Sequence, residues 1–321
     1  MSAPVGIVGA GAFGTALAAV WAATGPVVLL GRDRAAMEAA AETRRVARLP
    51  DVALPAAVRP TADAAALADC PTLVLAVPVP ALGAVLASLP RPLAPRHVVA
   101  ASKGVERRTL RGPTAIAAER FPGAVHAILS GPSFAADIAR GLPTALSLGC
   151  ADDGAGRMLQ DRLSTAALRL YRTTDVRGVE LGGALKNVVA IACGAAMGAG
   201  LGESARAACM TRGMAEMRRL AVAMGARAET LAGLSGLGDL ALTCSSLQSR
   251  NHALGFALGR GEARPDATAE GVPTAEAAAA LARAHGVAMP LGGAVADVLA
   301  GRRDVRGALQ DLLARDLTTE T

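Results

Sequence analysis

Two charged side chains stand where charge is costly. Lys186 lies in Gly182-Gly183-Ala184-Leu185-Lys186-Asn187-Val188-Val189-Ala190-Ile191-Ala192, an otherwise apolar, glycine-rich stretch. Burial penalises an ammonium and lowers its pKa from about 10.4 toward neutrality, the range a general acid or base needs. A lysine snorkelling from a helix edge is the alternative. Asp239, in Gly236-Leu237-Gly238-Asp239-Leu240, is a carboxylate among small and apolar residues. Such a group needs a cation or a hydroxyl beside it, and Lys186 or a substrate hydroxyl would serve; a helix N-cap is the other reading. Downstream, Ser249-Arg250-Asn251 clusters a hydroxyl, a guanidinium and an amide ahead of a helical stretch, either a phosphate grip or a polar helix start.

A second constellation sits at the start of the chain. Gly9-Ala10-Gly11-Ala12-Phe13-Gly14 follows the apolar run Val5 to Val8 and opens the helical run from Thr15. In that context Gly9 permits a tight turn, Gly11 lets the backbone approach a pyrophosphate, and Gly14 lets helix pack on strand, so the segment reads as a dinucleotide-binding turn. The next strand ends Leu30-Gly31-Arg32-Asp33-Arg34, where such folds hold an acid for the ribose or an arginine for a 2′-phosphate. With Gly31 near the usual place of the acid, Arg32 and Arg34 tilt the expectation toward NADP. Lys103, in Ser102-Lys103-Gly104, and the turn Ser130-Gly131-Pro132-Ser133 each follow an apolar run, which aims them at the crevice beyond the strand ends.

The elements that must position these groups follow from periodicity. Short apolar runs at Val5 to Gly9, Val27 to Leu30, Leu73 to Val77, His97 to Ala101, Ala127 to Leu129 and Ala145 to Leu148 alternate with alanine-rich helical stretches. Beyond about Asp175 the strand signals stop, and helices are expected over Gly178 to Leu201, Ala205 to Met224 and Thr274 to His285, with two shorter ones to the end. The expected fold is α/β: a Rossmann-type, doubly wound, mostly parallel sheet over 1–175, then an all-helical substrate and catalytic domain over 176–321.

Composition narrows the function. A net charge of +6 in 321 residues suits an anionic partner, but aromatics make up only 2 % and the basic residues are dispersed, which disfavours nucleic acid. Five cysteines without metal or pairing spacing read as free thiols of a reducing cytosol, and the four histidines sit in no nucleophile or metal pattern. The uncharged first 31 residues are broken by glycines and Pro26, so neither a signal peptide nor a membrane span is expected there or elsewhere.

Taken together, the chain resembles the bacterial-type NAD(P)-dependent glycerol-3-phosphate dehydrogenase family over nearly its full length. The resemblance rests on GAGAFGTALA at the start, SKG at 102–104, SGPSFA at 130–135, GVELGGALKNVVAIA at 178–192, TRGMAEM at 211–217, and GLSGLGDLALTC with SSLQSRN through 251. It implies Lys186 as proton donor and acceptor, with Asp239, Ser249, Arg250 and Asn251 at substrate-binding positions and Lys103, Gly131 and Ser133 around the glycerol phosphate. It also implies Ala12, Phe13, Arg32, Lys103, Ala135, Arg250 and Glu270 at the dinucleotide, beside Gly9, Gly11 and Gly14. The implied activity is reversible hydride transfer that reduces dihydroxyacetone phosphate to sn-glycerol 3-phosphate for glycerophospholipid synthesis, with NAD(P)H as cofactor, no metal, a cytoplasmic location and a homodimer. The chain departs from the family at Gly31, where a tryptophan is usual nearby, at Ser204, where an asparagine is usual, and in the length of the loop from Gly261 to Gly271.

Overall fold

The structure, a computed structural model, describes residues 2–91, 93–263 and 269–313. Strands β1 (Val5–Val8), β2 (Val27–Leu30), β3 (Arg45–Val46), β4 (Leu49–Ala53), β5 (Val58–Thr61), β6 (Thr72–Leu75), β7 (His97–Ala100), β8 (Val125–Ser130), β9 (Thr144–Cys150) and β10 (Leu168–Thr173) precede any long helix. Between them run α1 (Ala12–Trp21), α2 (Arg34–Thr43), α3 (Val79–Ser88), α4 (Pro113–Arg120), α5 (Ala135–Ala139) and α6 (Asp153–Leu163). The remaining elements are helical: α7 (Val176–Gly198), α8 (Gly202–Ala223), α9 (Ala228–Ala232), α10 (Asp239–Cys244), α11 (Arg250–Gly259), α12 (Gly271–Ala284), α13 (Pro290–Leu299) and α14 (Val305–Leu313).

The main sheet has eight strands in the order β10-β9-β8-β7-β6-β1-β2-β5, while β3 and β4 form a separate hairpin. From β5 to β8 every neighbour is parallel, and β1 lies between β2 and β6, so the winding direction reverses at β1. A reversal of that kind opens a crevice at the strands' carboxyl ends. The sheet interior explains why the runs read as continuously apolar: all four residues of β1, β2 and β6 are buried, with both faces covered. Burying each such Val, Leu or Ile contributes about 1.5–3 kcal/mol.

Two strand features differ from the sequence reading. β9 pairs antiparallel with β8, with β10 parallel to β9, because only the five-residue α5 links β8 to β9. The strands β3, β4, β5 and β10 were not expected: β3 and β4 make a short, largely exposed hairpin, β10 alternates buried and exposed residues at an edge, and β5 carries Arg59 and Pro60, so none shows an apolar run.

Trp21 closes α1 against the far side of the sheet. It is fully buried, and its Nε1 donates to the Leu163 carbonyl at 2.7 Å, tying α1 to the end of α6. Helix α7 is the axis of the helical region, and 83 % of its most apolar window is buried, which accounts for a mean hydropathy of 1.4 that would also suit a membrane helix. α11 packs directly on it: a Cβ on Gly194 would strike the His252 carbonyl, and one on Gly255 the Ile191 carbonyl, so the two backbones meet without side chains between them. The five cysteines are unpaired, and all but Cys209 are buried. Among the described residues no cluster of His, Cys, Asp and Glu could hold a metal ion.

Candidate active site

The carboxyl ends of β1, β7 and β8 carry the glycine turn, Lys103 and the Gly131 turn respectively. At the first of these, Gly9 has φ +116°, and a Cβ there would come within 2.6 Å of the Ala76 carbonyl oxygen. A Cβ on Gly14 would strike the Gly9 carbonyl, so only glycine lets α1 stand this close to the strand end. Gly11, the N-cap of α1, behaves differently: nothing lies within 4 Å of where its Cβ would be, no side chain caps the helix, and no acid stands in its first turn. The N–H groups that begin at Ala12 and Phe13, with the positive end of the helix dipole, are therefore free for an anion, and the turn fits a dinucleotide pyrophosphate. Phe13 packs on Ala16, Leu49 and Ile138 next to Ala135, so α1, the hairpin and α5 form one wall.

At the end of β2, Asp33 is spent locally: its Oδ1 accepts the Ala36 N–H at 3.0 Å and caps α2. Arg32 and Arg34 are exposed and make no side-chain hydrogen bond or ion pair among the described residues. Gly31 is covered by Met37, whose Cγ lies 2.8 Å from where a Cβ would be.

On the helical side, Lys186 and Asp239 are 6 % and 1 % exposed. Lys186 Nζ donates to Asp239 Oδ1 at 2.7 Å and to Thr243 Oγ1 at 2.6 Å, and the Thr243 hydroxyl donates to the same carboxylate oxygen at 3.3 Å. From the first region, Lys103 Nζ donates to Asp239 Oδ2 at 2.6 Å and to the Gly131 carbonyl at 3.1 Å. Asp239 thus bridges two ammonium groups and is not a helix cap; Gly238 holds that position. Burial pulls the Lys186 ammonium down to about 8, with Lys103 adding to the effect, while Asp239 and Glu270 pull the other way. The approach of α7 to α10 depends on a π-helical turn, Leu234–Gly238, which runs so near α7 that a Cβ on Gly182 would lie 2.8 Å from the Ser235 carbonyl.

Around this core stand the other expected residues. Gly131 has φ +150°, and its carbonyl accepts from the Ser133 hydroxyl at 3.2 Å as well as from Lys103. Ser249 caps α11, accepting the His252 N–H at 3.3 Å, and Arg250 opens that helix with its guanidinium exposed. Asn251 is buried and bonded to Asn187 and to the backbone of Gly271. Glu270 is half-buried; burial pushes its carboxyl up, and the charges of Arg250, Lys103 and Lys186 oppose that.

Comparison with known proteins decides the family. Residues 4–155 match the family described as NAD-dependent glycerol-3-phosphate dehydrogenase N-terminus, and residues 175–310 its C-terminus. The chain belongs to this family. It is 55 % identical over 319 residues to a Paracoccus denitrificans protein named glycerol-3-phosphate dehydrogenase (NAD(P)+), covering 98 % of this chain and 99 % of that one. A Roseobacter denitrificans protein of the same name is 54 % identical over 98 % of this chain and 99 % of its own. The crystal structure of glycerol-3-phosphate dehydrogenase from Coxiella burnetii superposes with a TM-score of 0.92 at 36 % identity, covering 98 % and 99 % of the two chains. A ketopantoate reductase family structure from Ralstonia eutropha, at 17 % identity and a TM-score of 0.61, shares the fold.

Sequence reasoning missed two polar groups of the cluster. Thr243 lies four residues after Asp239 on α10 and so shares its face, a spacing that was there to be read. Asn187 adjoins Lys186 in the same apolar helix and is 2 % exposed; its Nδ2 is buried without a hydrogen-bond partner, as is Ser130 Oγ nearby. The burial argument applied to Lys186 applies equally to Asn187. Lys103 was expected to meet phosphate, and the structure shows it engaged with Asp239 and Gly131.

Proposed function

We propose that this chain catalyses the reversible NAD(P)H-dependent reduction of dihydroxyacetone phosphate to sn-glycerol 3-phosphate. The observation that carries the reading is the buried Lys186–Asp239–Lys103 arrangement at the same strand ends as the glycine turn. Hydride arriving at a ketone carbon leaves an alkoxide, and a lysine near pH-neutral titration beside it supplies the missing proton. The bound reduced nicotinamide supplies that hydride.

In this reading Lys186 donates its proton to the substrate oxygen and recovers one from solvent. Asp239 holds Lys186 in place through a charge-assisted bond and keeps it from losing its proton too early. Arg250 provides the cation for the substrate phosphate, with Ser249 and Asn251 on either side of it and Lys103, Gly131 and Ser133 closing the opposite wall. Gly9, Gly11, Ala12, Phe13 and Gly14 hold the pyrophosphate, with Ala135, Lys103, Arg250 and Glu270 along the rest of the dinucleotide. Arg32 takes a 2′-phosphate, which favours NADPH.

The division of labour falls at residue 175, with a dinucleotide domain before it and a substrate and catalytic domain after it. A cytoplasmic homodimer feeding glycerophospholipid synthesis is the setting consistent with the family. The test is loss of reduced-cofactor absorbance on adding dihydroxyacetone phosphate, run with NADPH and NADH in parallel and with unphosphorylated dihydroxyacetone as control. Oxidation that requires the phosphate is expected; none with either cofactor would refute the reading.

A further inference from the structure

Glu180 sits on α7 ahead of Lys186, a half-buried carboxylate whose partner lies in the other half of the molecule. Its Oε1 accepts the Thr114 N–H at 3.0 Å and the Thr114 hydroxyl at 2.8 Å. Thr114 is in the first turn of α4, where a helix leaves N–H groups unsatisfied and where the N-cap, Gly112, offers no side chain. The fit is close, since a Cβ on Gly112 would strike Glu180 Oε2. Burial pushes the Glu180 carboxyl up, and the two Thr114 donors and Arg177 on its own helix oppose that.

This clasp closes one end of the loop that carries Lys103. Within the loop the Glu106 N–H donates to the Arg111 carbonyl at 2.9 Å and the Leu110 N–H to the Glu106 carbonyl at 2.8 Å, so the stretch from Lys103 to Gly112 is tied to itself. It lies on the helical half: Val105 is buried in the core that holds Leu181 and Leu185, and Leu110 packs on the same core. At its other end Lys103 runs along α7, where a Cβ on Gly183 would strike the Ser130 hydroxyl and come 3.6 Å from Lys103 Cγ. Successive turns of α7 thus carry Glu180 at the clasp, Gly183 under the Lys103 stem and Lys186 on Asp239.

We propose that Glu180 is a positioning residue: its grip on Thr114 sets where the Lys103–Gly112 loop lies along α7, and so brings Lys103 to one oxygen of Asp239 while Lys186 holds the other. Three charged groups face Lys186: Asp239 from α10, Glu270 ahead of α12, and Lys103 from this loop, the only one of the three that weakens its hold on the proton. Without the clasp, apolar contact at Val105 and Leu110 and an exposed Arg107–Glu276 pair remain, and neither fixes a position along the helix. Lys103 then moves off Asp239, the carboxylate is left to Lys186 alone, and both changes strengthen the hold of Lys186 on its proton. The consequence for turnover rests on the role given to Lys186 above.

The chain holds two lysines, Lys103 and Lys186, so protein grown on lysine isotopically labelled at Cε gives two side-chain NMR signals, both from ammonium groups on Asp239. The experiment follows their titration in wild type, Glu180→Ala and Glu180→Gln, with the rate of dihydroxyacetone phosphate reduction against pH and thermal midpoints alongside. Glutamine keeps an Oε1 that accepts both Thr114 donors, so it should leave the lysine midpoints in place and kcat/KM within about twofold. Glu180→Ala should move the Lys186 midpoint above about 8, carry the falling limb of the rate profile upward with it, and lower kcat/KM about tenfold. Lysine midpoints that stay put in Glu180→Ala would overturn the proposal even with a lower thermal midpoint, since the clasp would then be a fold contact only; so would a glutamine variant as impaired as the alanine. If Glu180→Ala does not fold, Thr114→Val, which removes the hydroxyl donor and keeps the N–H, takes its place in the same measurements. The lysine signals need no turnover, so a wild type inactive on dihydroxyacetone phosphate would count against the proposed reaction and not against this placement.

Discussion

The two ends of the site are built by opposite means. At the β1–α1 turn the working groups are backbone N–H groups, and the side chains matter by being absent at Gly9, Gly11 and Gly14. At the α7–α10 contact the working groups are charged side chains, and the backbone matters by holding Lys186, Asp239 and Thr243 out of water. A site of the first kind carries no titrating proton and fails when a Cβ intrudes. A site of the second kind changes its chemistry with pH, because its ammonium is held near 8 by burial set against a carboxylate. The contrast matches the demands of the reaction, since a pyrophosphate needs only fixed dipoles while a ketone needs a proton that moves.

The sharpest way to break this comparison is to remove the proton carrier alone. Lys186→Ala is expected to lower turnover by about 10²–10⁴-fold while leaving NADPH affinity within about twofold, measured by steady-state rates and fluorescence titration. Cofactor affinity falling in step with turnover would show that the two ends are not separable. Gly14→Val attacks the other end; its side chain meets the Gly9 carbonyl, and NADPH affinity should drop about a hundredfold with the pH profile unmoved.

The pH profile itself sharpens the contrast. Reduction needs the ammonium form, so its rate should fall as pH rises through about 8, and oxidation of glycerol 3-phosphate, which needs the free amine, should rise over the same range. Because Asp239 raises the Lys186 value, Asp239→Asn should move that midpoint to lower pH, and a midpoint that stays put would remove Asp239 from the proton's control. The lysine also affects folding. Its folded value lies below the ordinary 10.5, so the unfolded chain binds the proton more tightly, and this group's contribution to stability grows as pH rises from about 8 toward 10.5. The smallest expected effect is at the rim: Arg32→Ala should weaken NADPH binding about five- to thirtyfold and leave NADH within about twofold.

Legibility in the sequence follows the same division. The glycine turn was readable because strand, turn and helix are contiguous, so local spacing carries its geometry. Lys186 and Asp239 could each be singled out by their apolar settings, yet their pairing joins residues 53 apart, and the Lys103–Asp239 bond joins residues 136 apart. No local rule reaches such distances. Strands β5 and β10 escaped because an edge strand has one face to bury and so lacks the continuous apolar run of β1 or β6. The antiparallel turn to β9 escaped because strand direction leaves no trace in composition. Asn187 stands as a polar residue in an apolar run and Asn251 in a polar cluster, but their joint use could be seen only once α7 and α11 were brought together.

Trp21 gives the molecule an optical handle. It is the chain's one tryptophan, so all indole emission comes from a single ring held in a dry, hydrogen-bonded setting at the end of α1. The other end of that ten-residue helix is the glycine turn, about 15 Å away at the helical rise per residue, close enough for the excited indole to pass its energy to a reduced nicotinamide nucleotide in the crevice. Quenching of one intrinsic fluorophore thus becomes a label-free titration of the occupied turn, and the red shift of the same band times the melting of the sheet.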